Sequence, residues 1–465
     1  MRFLDRTAEM DRLMCLSTAC RGGLVVLWGR RRIGKSELLK VWCRQTDGLY
    51  TVADRSAAAV QRQNFATALA SRLPGFDEAV YPTWKALFDA LSRQARAMCW
   101  HGPLAIDEFP YWVESDASVV SVLQNWIDAE KDSGGLLVAL SGSSQHMMQG
   151  LVLDADSPIY GRADEKIKLP PIGIRYFREG LGLPTAVDAV KAYSVWGGVP
   201  RYWVAAERYR NDLAKAVDEQ VLDPMGVFHD EPSTLLQSEI PSAISLKPYL
   251  DAIGLGANRV SEIAARLGLP ATTVSKPLAR LVDLGLVRRE LPYGENEKNS
   301  KKSLYRINDP FCRFWFKVLA PRRGVLDSAP REVRNRIWRT QSVALFATEW
   351  EELARAYVVG SDRLSSLAGA DDFWMPAGRW WAGSAAELDV VAFNGAGTRT
   401  LVGEAKWSEK PYTRAEVERL AAELQLRPIP ANFPKERVCV LFLANVAADV
   451  PEVVKGVPVI TAEDL

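Results

Sequence analysis

The stretch GRRRIGKSELL at residues 29–39 follows the apolar run LVVLW at residues 24–28 and indicates the fold of the first half of the chain. It matches the pattern GxxxxGK[ST], whose fixed positions here are Gly29, Gly34, Lys35 and Ser36. Glycines allow backbone N–H groups to turn toward phosphate oxygens, the lysine neutralises the β and γ phosphates, and the hydroxyl reaches Mg²⁺. The stretch therefore predicts a loop that holds the phosphates of ATP. The pattern leaves open whether phosphate, a neighbouring subunit or solvent surrounds the loop arginines Arg30, Arg31 and Arg32.

Two later apolar runs end in polar residues that suit the same site. PLAIDEFPYW at residues 103–112 ends a predicted strand at Asp107 and Glu108. This places Asp107 near Mg²⁺ and Glu108 near the attacking water. LLVALSGSS at residues 136–144 ends in hydroxyls, and either Ser143 or Ser144 is expected to touch the γ-phosphate or its water. Together the three strand ends predict one site for ATP hydrolysis.

The length of 465 residues and the 48% hydrophobic content predict a multidomain α/β protein. Residues 1–185 alternate apolar runs with amphipathic segments, which indicates a parallel sheet with crossover helices. Residues 186–240 favour a small helical lid, and residues 241–320 have the order of a winged helix-turn-helix. Residues 341–465 predict a second α/β domain.

Composition restricts the location and the partners. The net charge of +1 gives no general attraction for nucleic acid, so any such contact depends on local basic patches. The N-terminus MRFLDRTAEMD is charged where a secretion signal is apolar, and no apolar run approaches the roughly 18 residues that span a bilayer. We predict a cytoplasmic protein that does not enter a membrane. The scattered cysteines predict buried free thiols at Cys15, Cys20, Cys43, Cys99, Cys312 and Cys439.

The segment ATTVSKPLARL at residues 271–281 is the predicted recognition helix for DNA. Its candidate contacts to phosphates or base edges are Thr272, Thr273, Ser275, Lys276 and Arg280. The loop NEKNSKK at residues 296–302 is the predicted wing, with Lys298, Lys301 and Lys302 as its basic residues. Because Pro277 cannot donate a helical hydrogen bond, we expect either a kink or a helix that begins near Ser275.

The C-terminal segment contains a second candidate active site. ELDVVAF at residues 387–393 places Glu387 and Asp389 on one face of a strand, and TLVGEAKW at residues 400–407 does the same for Glu404 and Lys406. Carboxylates of this kind hold Mg²⁺ or Mn²⁺ against a scissile phosphate, and a lysine orients or deprotonates water. The preceding helix adds Glu351 as a metal ligand. An exposed strand with salt bridges remains the alternative.

The order of the motifs resembles the archaeal-type ATPases of the AAA+/STAND branch of P-loop proteins. FLDRTAEMDRL at residues 3–13 is similar to their opening F-x-G-R-x-x-E-L segment, although Asp5 replaces the usual glycine. GRRRIGKS, AIDEFPY, LSGSSQHMM, SPIYGR and YSVWGGVPRYW follow in the order of that family. The resemblance implies that Arg6 lies near the adenine and that Gly198 and Pro200 belong to a nucleotide-contacting lid. It also implies that Arg162 is either an arginine finger, which requires a homo-oligomer, or a surface arginine.

The C-terminal segment resembles the PD-(D/E)xK restriction-endonuclease-like fold, with Leu388-Asp389 in place of the proline-aspartate pair. In the archaeal-type family the winged helix also packs against the ATPase as a regulatory arm. Two functions therefore stay open. One is an ATP-controlled nuclease that acts on DNA with Mg²⁺ or Mn²⁺, and the other is an ATP-dependent switch whose endonuclease-like domain binds without cutting.

Overall fold

The computed structural model describes residues 4–19, 21–133, 135–143, 148, 150, 157–209, 212–239, 245–296, 302–382 and 387–465. Five parallel strands form the first sheet, in the spatial order β2-β3-β4-β1-β5. Their bounds are β1 Gly23–Trp28, β2 Leu49–Val52, β3 Leu104–Asp107, β4 Leu137–Gly142 and β5 Glu165–Lys168. Trp28, the last residue of β1, pairs with Gly142 on one side and with Lys168 on the other. The loops that follow β1 and β4 therefore begin at the same edge of the sheet.

Helices cover both faces of this sheet because β1 is apolar on both sides. Leu24 and Val26 pack into one core, whereas Val25 and Leu27 pack into the other. A strand buried on both faces is typical of a parallel sheet between helical layers. The helices are α1 Thr7–Thr18, α2 Lys35–Gln45, α3 Ala58–Ala70, α4 Trp84–Ala97, α5 Pro110–Ser115 and α6 Val119–Ser133.

A group of short helices follows the first sheet. They are α7 Phe177–Leu181, α8 Ala186–Trp196, α9 Pro200–Glu207, α10 Leu213–Val217, a π-helical turn at Asp218–Leu222, and α11 Glu231–Glu239. The Thr185 hydroxyl begins α8 by accepting the Asp188 N–H. Asp218, which is 1% exposed, accepts Arg334 Nε at 2.6 Å, so this helical group is tied to the long helix described below.

Three helices and two antiparallel strands form the winged helix-turn-helix. They are α12 Lys247–Gly254, α13 Val260–Leu267, α14 Ala271–Asp283, β6 Val287–Glu290 and β7 Leu304–Ile307. The helix α14 begins at Ala271 and continues through Pro277, so of the two alternatives for this proline, a start near Ser275 is wrong. Proline removes one backbone hydrogen bond, but Val274, Leu278 and Leu281 are fully buried on the same helix and hold it in place.

A connecting segment leads from β7 to the C-terminal sheet. It consists of α15 Pro310–Phe314, a π-helical turn at Trp315–Leu319, α16 Arg323–Leu326, α17 Arg331–Val358 and α18 Asp362–Ser365. The 28-residue helix α17 contacts both α8 of the lid and the strands of the second sheet. It therefore bridges the group of short helices and the second sheet.

The second sheet is mixed and has the order β12-β13-β11-β10-β9-β8. Its elements are β8 Gly378–Trp380, β9 Leu388–Phe393, β10 Arg399–Lys406, α19 Arg414–Leu426, β11 Glu436–Leu443, β12 Val453–Val454 and β13 Val457–Ile460. The central strand β10 is antiparallel to β9 and parallel to β11. Short 3₁₀ turns lie at Phe76–Glu78, Ile174–Tyr176, Ala320–Arg322 and Ala462–Asp464.

The cysteine prediction is only partly correct. Cys43 and Cys312 are buried free thiols, and burial raises the pKa of each to about 12. Cys15 and Cys99 are free but exposed, and Cys439 is half-buried. Cys20 lies outside the described residues. None of the helices in the described ranges is long and apolar enough to cross a bilayer.

Candidate functional site

The loop between β1 and α2 has the backbone that a phosphate-binding loop requires. A Cβ atom at Gly29 would lie 2.8 Å from the Leu169 carbonyl oxygen, and Gly34 has a φ of 101°. Both positions therefore favour glycine. The Lys35 Nζ donates to the carbonyl oxygens of Gly29 at 2.9 Å and Arg30 at 3.2 Å. The lysine head is thus folded over the loop in which phosphates would lie.

Ser36 and Asp107 meet beside this loop. The Ser36 Oγ donates to Asp107 Oδ2 at 2.5 Å, and the Asp107 residue is 1% exposed. The Tyr50 hydroxyl donates to the same carboxylate oxygen at 2.8 Å. Burial and the Asp107 charge raise the pKa of Tyr50, so Tyr50 is a hydrogen-bond donor here. Tyr50 is a site residue that the sequence motifs do not reveal, because only the pairing of β2 with β3 brings it to Asp107.

Glu108 and Ser143 connect the ends of β3 and β4. The Ser143 N–H donates to Glu108 Oε2 at 3.1 Å, and the Ser143 hydroxyl donates to Glu108 Oε1. Glu108 has a φ of 53°, a left-handed conformation that costs a non-glycine residue about 1–2 kcal/mol. Either Ser143 or Ser144 is expected to touch the γ-phosphate or its water. Ser143 forms this contact with Glu108, and Ser144 lies outside the described residues.

Arg6 anchors the first helix to the phosphate loop. Its guanidinium donates to the Ile33 carbonyl at 3.2 Å and to the Pro170 carbonyl at 2.8 Å, and Arg6 is 3% exposed. Asp5 has a φ of 61°, so it occupies a left-handed position that a glycine would take without strain. This conformation accounts for the glycine that the archaeal-type ATPases have at this position in the segment that residues 3–13 resemble. The proximity of Arg6 to adenine stays a prediction.

Gly198 and Pro200 bring the lid to the same loop. The Ile172 N–H donates to the Gly198 carbonyl at 2.9 Å, and a Cβ at Gly198 would lie 2.3 Å from the Ile172 oxygen. A Cβ at Gly34 would lie 3.8 Å from Pro200 Cγ. The start of α9 is therefore in van der Waals range of the phosphate loop.

Two of the three loop arginines form ion pairs within the chain, an arrangement that none of the three expected alternatives describes. Arg30 Nη1 lies 2.5 Å from Asp309 Oδ2, with 17% and 7% of the two side chains exposed. Arg32 pairs with Glu231 of α11, whose side chain is 4% exposed. Arg31 is exposed. The loop is thus bonded to the lid and to the residue that begins α15 after the winged helix.

Arg162 lies away from these contacts. Its Nε donates to Asp128 Oδ1 at 2.9 Å and Oδ2 at 3.0 Å, and its Nη1 donates to the Pro158 carbonyl at 2.7 Å. A role for Arg162 as an arginine finger in a homo-oligomer stays a prediction, and that role would require Asp128 to release the guanidinium.

The predicted recognition helix presents its polar residues to solvent. The exposed residues of α14 include Thr272, Thr273, Ser275, Lys276 and Arg280. In the wing, Lys302 Nζ lies 2.5 Å from Glu295 Oε1, and Lys298 and Lys301 lie outside the described residues.

The base of the wing packs against the second sheet, which the sequence does not predict. The Phe393 N–H donates to the Tyr293 hydroxyl at 2.9 Å, and the Tyr293 N–H donates to the Arg379 carbonyl at 2.9 Å. The rings of Tyr293 and Phe393 meet edge to face, with centroids 4.8 Å apart. The winged helix and the C-terminal sheet are therefore in direct contact.

Asp389 and Glu404 lie on adjacent antiparallel strands. Val390 pairs with Gly403, and the Ala405 N–H donates to Asp389 Oδ2 at 3.1 Å, so the two carboxylates are neighbours. Burial and the Glu404 charge raise the pKa of Asp389. Glu387 precedes β9 and pairs with Arg379 at 2.8 Å. The expectation that Glu387 and Asp389 share one strand is therefore wrong.

Cations neutralise Glu404 in this arrangement. Lys406 Nζ lies 2.7 Å from Glu404 Oε1, and Arg427 pairs with Oε2. Glu351 on α17 is close enough to Asp389 for charge repulsion, and burial together with that repulsion raises the pKa of Glu351 to about 7. Within the described ranges, no group of three or more histidine, cysteine, aspartate or glutamate side chains is arranged to hold a metal ion. The predicted metal shell of Glu351, Asp389 and Glu404 is therefore not assembled here.

Three parts of the chain match models of known protein families. Residues 3–205 match a family model described as an ATPase domain predominantly from Archaea. Residues 249–294 match a model of the MarR family. Residues 315–420 match a model described as archaeal and bacterial proteins of unknown function.

Three archaeal proteins are similar to large parts of this chain. An uncharacterized protein of Methanocaldococcus jannaschii is 24% identical over 407 residues, which cover 88% of each chain. A Walker-type ATPase of Pyrococcus abyssi has a TM-score of 0.53 and 19% identity over 68% of this chain and 96% of its own. The Aeropyrum pernix ORC2 protein, solved with ADPNP and ADP, has a TM-score of 0.44 and 14% identity over 74% of this chain and 95% of its own. Residues 3–205 are therefore similar to an ATPase domain found predominantly in Archaea, and residues 249–294 are similar to the MarR family.

Proposed function

We propose that this protein is an ATP-hydrolysing switch that acts on DNA. The observation that carries the proposal is the meeting of Ser36 and Asp107 beside the loop of Lys35, with Glu108 next in the chain. A buried carboxylate and a hydroxyl that converge at the end of a strand fit Mg²⁺, and Ser36 and Asp107 would hold it. Bound there, the ion would neutralise charge on the phosphates.

The residues of the loop would bind and orient the nucleotide. Lys35 would exchange the carbonyls of Gly29 and Arg30 for phosphate oxygens, which are stronger partners for an ammonium group. Glu108 would orient the water that attacks the γ-phosphorus, and the bond from this phosphorus to the bridging oxygen of ADP would break. Ser143 already holds both oxygens of Glu108, so the carboxylate is fixed in orientation.

The loop arginines would transmit the state of the nucleotide. Arg30 is bonded to Asp309, which follows the winged helix, and Arg32 is bonded to Glu231 of the lid. A shift of the loop on phosphate binding would therefore act on both elements. The exposed face of α14 is the surface that would contact DNA.

Phosphate release from ATP tests the proposal. Lys35→Ala is expected to abolish turnover without loss of the fold, because the lysine head donates to the loop carbonyls of Gly29 and Arg30, where phosphates would bind. Lys85→Ala is the control, since Lys85 is an exposed lysine on α4. Normal turnover by Lys35→Ala would exclude this loop as the ATP site.

A second candidate function is phosphodiester cleavage at the C-terminal sheet. The observation that favours it is the pair Asp389 and Glu404 on adjacent strands, with Lys406 Nζ 2.7 Å from Glu404. The set does not fit a metal in the arrangement described, because Lys406 and Arg427 occupy both oxygens of Glu404. Cleavage would therefore require that Arg427 leave Glu404.

Plasmid cleavage separates the nuclease from the non-cutting switch. Supercoiled plasmid and single-stranded DNA are incubated with Mg²⁺ or Mn²⁺, with and without ATP. A nuclease is expected to lose cutting in Asp389→Ala and to gain it in Arg427→Ala. Absence of cutting in both the natural protein and Arg427→Ala would leave the C-terminal sheet as a binding module.

A further inference from the structure

A solvent-open cleft of about 230 Å³ lies between the winged helix and α17. Five elements other than α14 contribute polar residues to its walls: β6, β7, α15, the π-helical turn and α17. The polar residues that line it include Arg288, Arg306, Arg313, Lys317, Thr348 and Glu352. We call it the α17 cleft. It is separate from the phosphate loop and from the carboxylates of the second sheet, neither of which lines it.

Positive charge exceeds negative charge in the α17 cleft. Arg288 pairs with Glu290 at 2.6 Å and also with Glu352. Arg313 pairs with Glu349 at 2.8 Å. Among the residues that the structure describes, Lys317 forms no ion pair. Arg288 and Arg313 are thus each paired with a carboxylate, whereas the ammonium group of Lys317 has no carboxylate within ion-pair distance among the described residues.

Arg306 adds a donor that is incompletely satisfied. Its Nε lies 3.1 Å from Glu290 Oε2, which is within ion-pair distance. The geometry is not that of a hydrogen bond, and within the described chain both buried atoms have no hydrogen-bond partner. A buried donor without an acceptor costs free energy, which a shift of the Arg306 guanidinium toward an anion in the cleft would recover.

The backbone at Lys317 is fixed in place. Lys317 lies in the π-helical turn Trp315–Leu319, whose other four residues are buried. The Trp315 indole N–H donates to the His229 carbonyl at 2.7 Å, and Arg322 donates to the Lys317 carbonyl at 3.2 Å. Burial and the charge of Arg313 lower the pKa of Lys317. The turn therefore holds a half-buried ammonium beside a guanidinium, and π-helical turns of this kind are frequent at functional sites.

We propose that the α17 cleft binds a phosphate group, with Lys317 and Arg306 as its contacts. One added anion would compensate Lys317 and provide an acceptor for Arg306. Phosphate suits the cleft better than a carboxylate because the donors come from separate elements around it. The oxygens of a tetrahedral group point in several directions, whereas those of a carboxylate lie in one plane.

Calorimetric titration of inorganic phosphate tests the proposal. The Lys35→Ala protein is used as the background, because it lacks the lysine of the phosphate loop. Adding Lys317→Gln is expected to weaken phosphate binding by about tenfold or more, since a charged hydrogen bond is lost. Adding Lys247→Gln is expected to leave it unchanged, because that lysine already pairs with Asp251 at 2.9 Å.

Further variants, thermal melting and titration of acetate keep the test decisive. Lys317→Arg retains the charge and is expected to retain phosphate binding, and Arg306→Gln is expected to weaken it. Thermal melting checks the fold, and Lys317→Gln is not expected to lower the melting temperature because it removes an uncompensated charge. Equal phosphate affinity with and without Lys317→Gln, or acetate binding as tight as phosphate, would overturn the proposal.

A labelled DNA duplex identifies the source of the phosphate. If Lys317→Gln lowers affinity for both the duplex and inorganic phosphate, the cleft takes a backbone phosphate of nucleic acid. If it lowers affinity for inorganic phosphate alone, the ligand is a small free phosphate. Either result supports the phosphate site.

Discussion

Arg30 in the phosphate loop and Asp309 after the winged helix are joined by a buried ion pair of 2.5 Å. The Asp309 carboxylate also accepts the Cys312 N–H at 2.8 Å and so begins α15. Pro310, the next residue, packs on Gly197 of the lid, where an added Cβ would lie 3.0 Å from its Cδ. The loop, the lid and the end of the winged helix therefore meet at one point.

Asp309→Asn is expected to destabilise the protein by about 3 kcal/mol, because it leaves the buried Arg30 charge unpaired. Asparagine still begins a helix well, so the substitution isolates the ion pair from the cap. Unfolding in urea measures the loss. Asp230→Asn is the control, because it breaks an exposed ion pair with Arg323 and is expected to cost less than about 1 kcal/mol. Equal stability of Asp309→Asn and the natural protein would show that the pair contributes nothing.

Glu108→Gln is expected to lower the turnover of ATP by about 10²–10⁴-fold while ATP still binds. Glutamine keeps the shape of the side chain but cannot accept a proton or attract water with a full charge. Phosphate release gives the turnover, and binding of a fluorescent ATP analogue gives the affinity. A parallel loss of both quantities would instead indicate that Glu108 supports the loop structurally through Ser143.

Glu351→Gln is expected to stabilise the protein more at about pH 8 than at about pH 5. The ordinary pKa of the side chain is 4.5 and the folded value is about 7, so the folded state binds more protons between these values. Stability contributed by this group therefore falls as pH rises through that window. Melting temperatures across this range, with the exposed Glu423→Gln as control, measure the effect. A difference that does not depend on pH would contradict the raised pKa.

Lys276→Ala is expected to weaken binding to duplex DNA and to reduce the slope of log affinity against log salt by about 0.9. The reason is that one phosphate contact releases about one counterion. Fluorescence anisotropy at several salt concentrations provides both numbers. Lys215→Ala on the lid is the control, because that lysine is also exposed on a helix but lies outside the winged helix. Identical slopes for the two variants would place DNA elsewhere.

Much of the first site can be predicted from the sequence. Lys35 and Ser36 begin α2 after the loop that follows β1, and Asp107 ends β3; recognisable motifs mark both places, and a parallel sheet brings such loops together at one edge. Tyr50 could not be predicted, because an ordinary strand such as LYTV does not indicate which neighbour its tyrosine will meet. The contact at the base of the wing, where Tyr293 packs against β9, could not be predicted either.

The C-terminal site shows a different limit of prediction from the sequence. The sequence indicates the strands of Asp389 and Glu404 and the helix of Glu351, and these elements are present. It does not indicate that Arg427, at the end of α19, reaches Glu404. Whether a carboxylate is open to a metal depends on such distant cations, which leave no pattern near the carboxylate itself.

The phosphate loop, the parallel sheet around it and the helix-turn-helix can be predicted from local sequence, because glycine positions, apolar periodicity and strand order act over short stretches of chain. The ion-pair partners of the loop arginines, in contrast, depend on tertiary packing. Arg30 and Arg32 find Asp309 and Glu231, which are distant in sequence and are brought near by the packing of the lid and α15. Ion pairs of this kind depend on the relative position of whole elements, and packing sets that position.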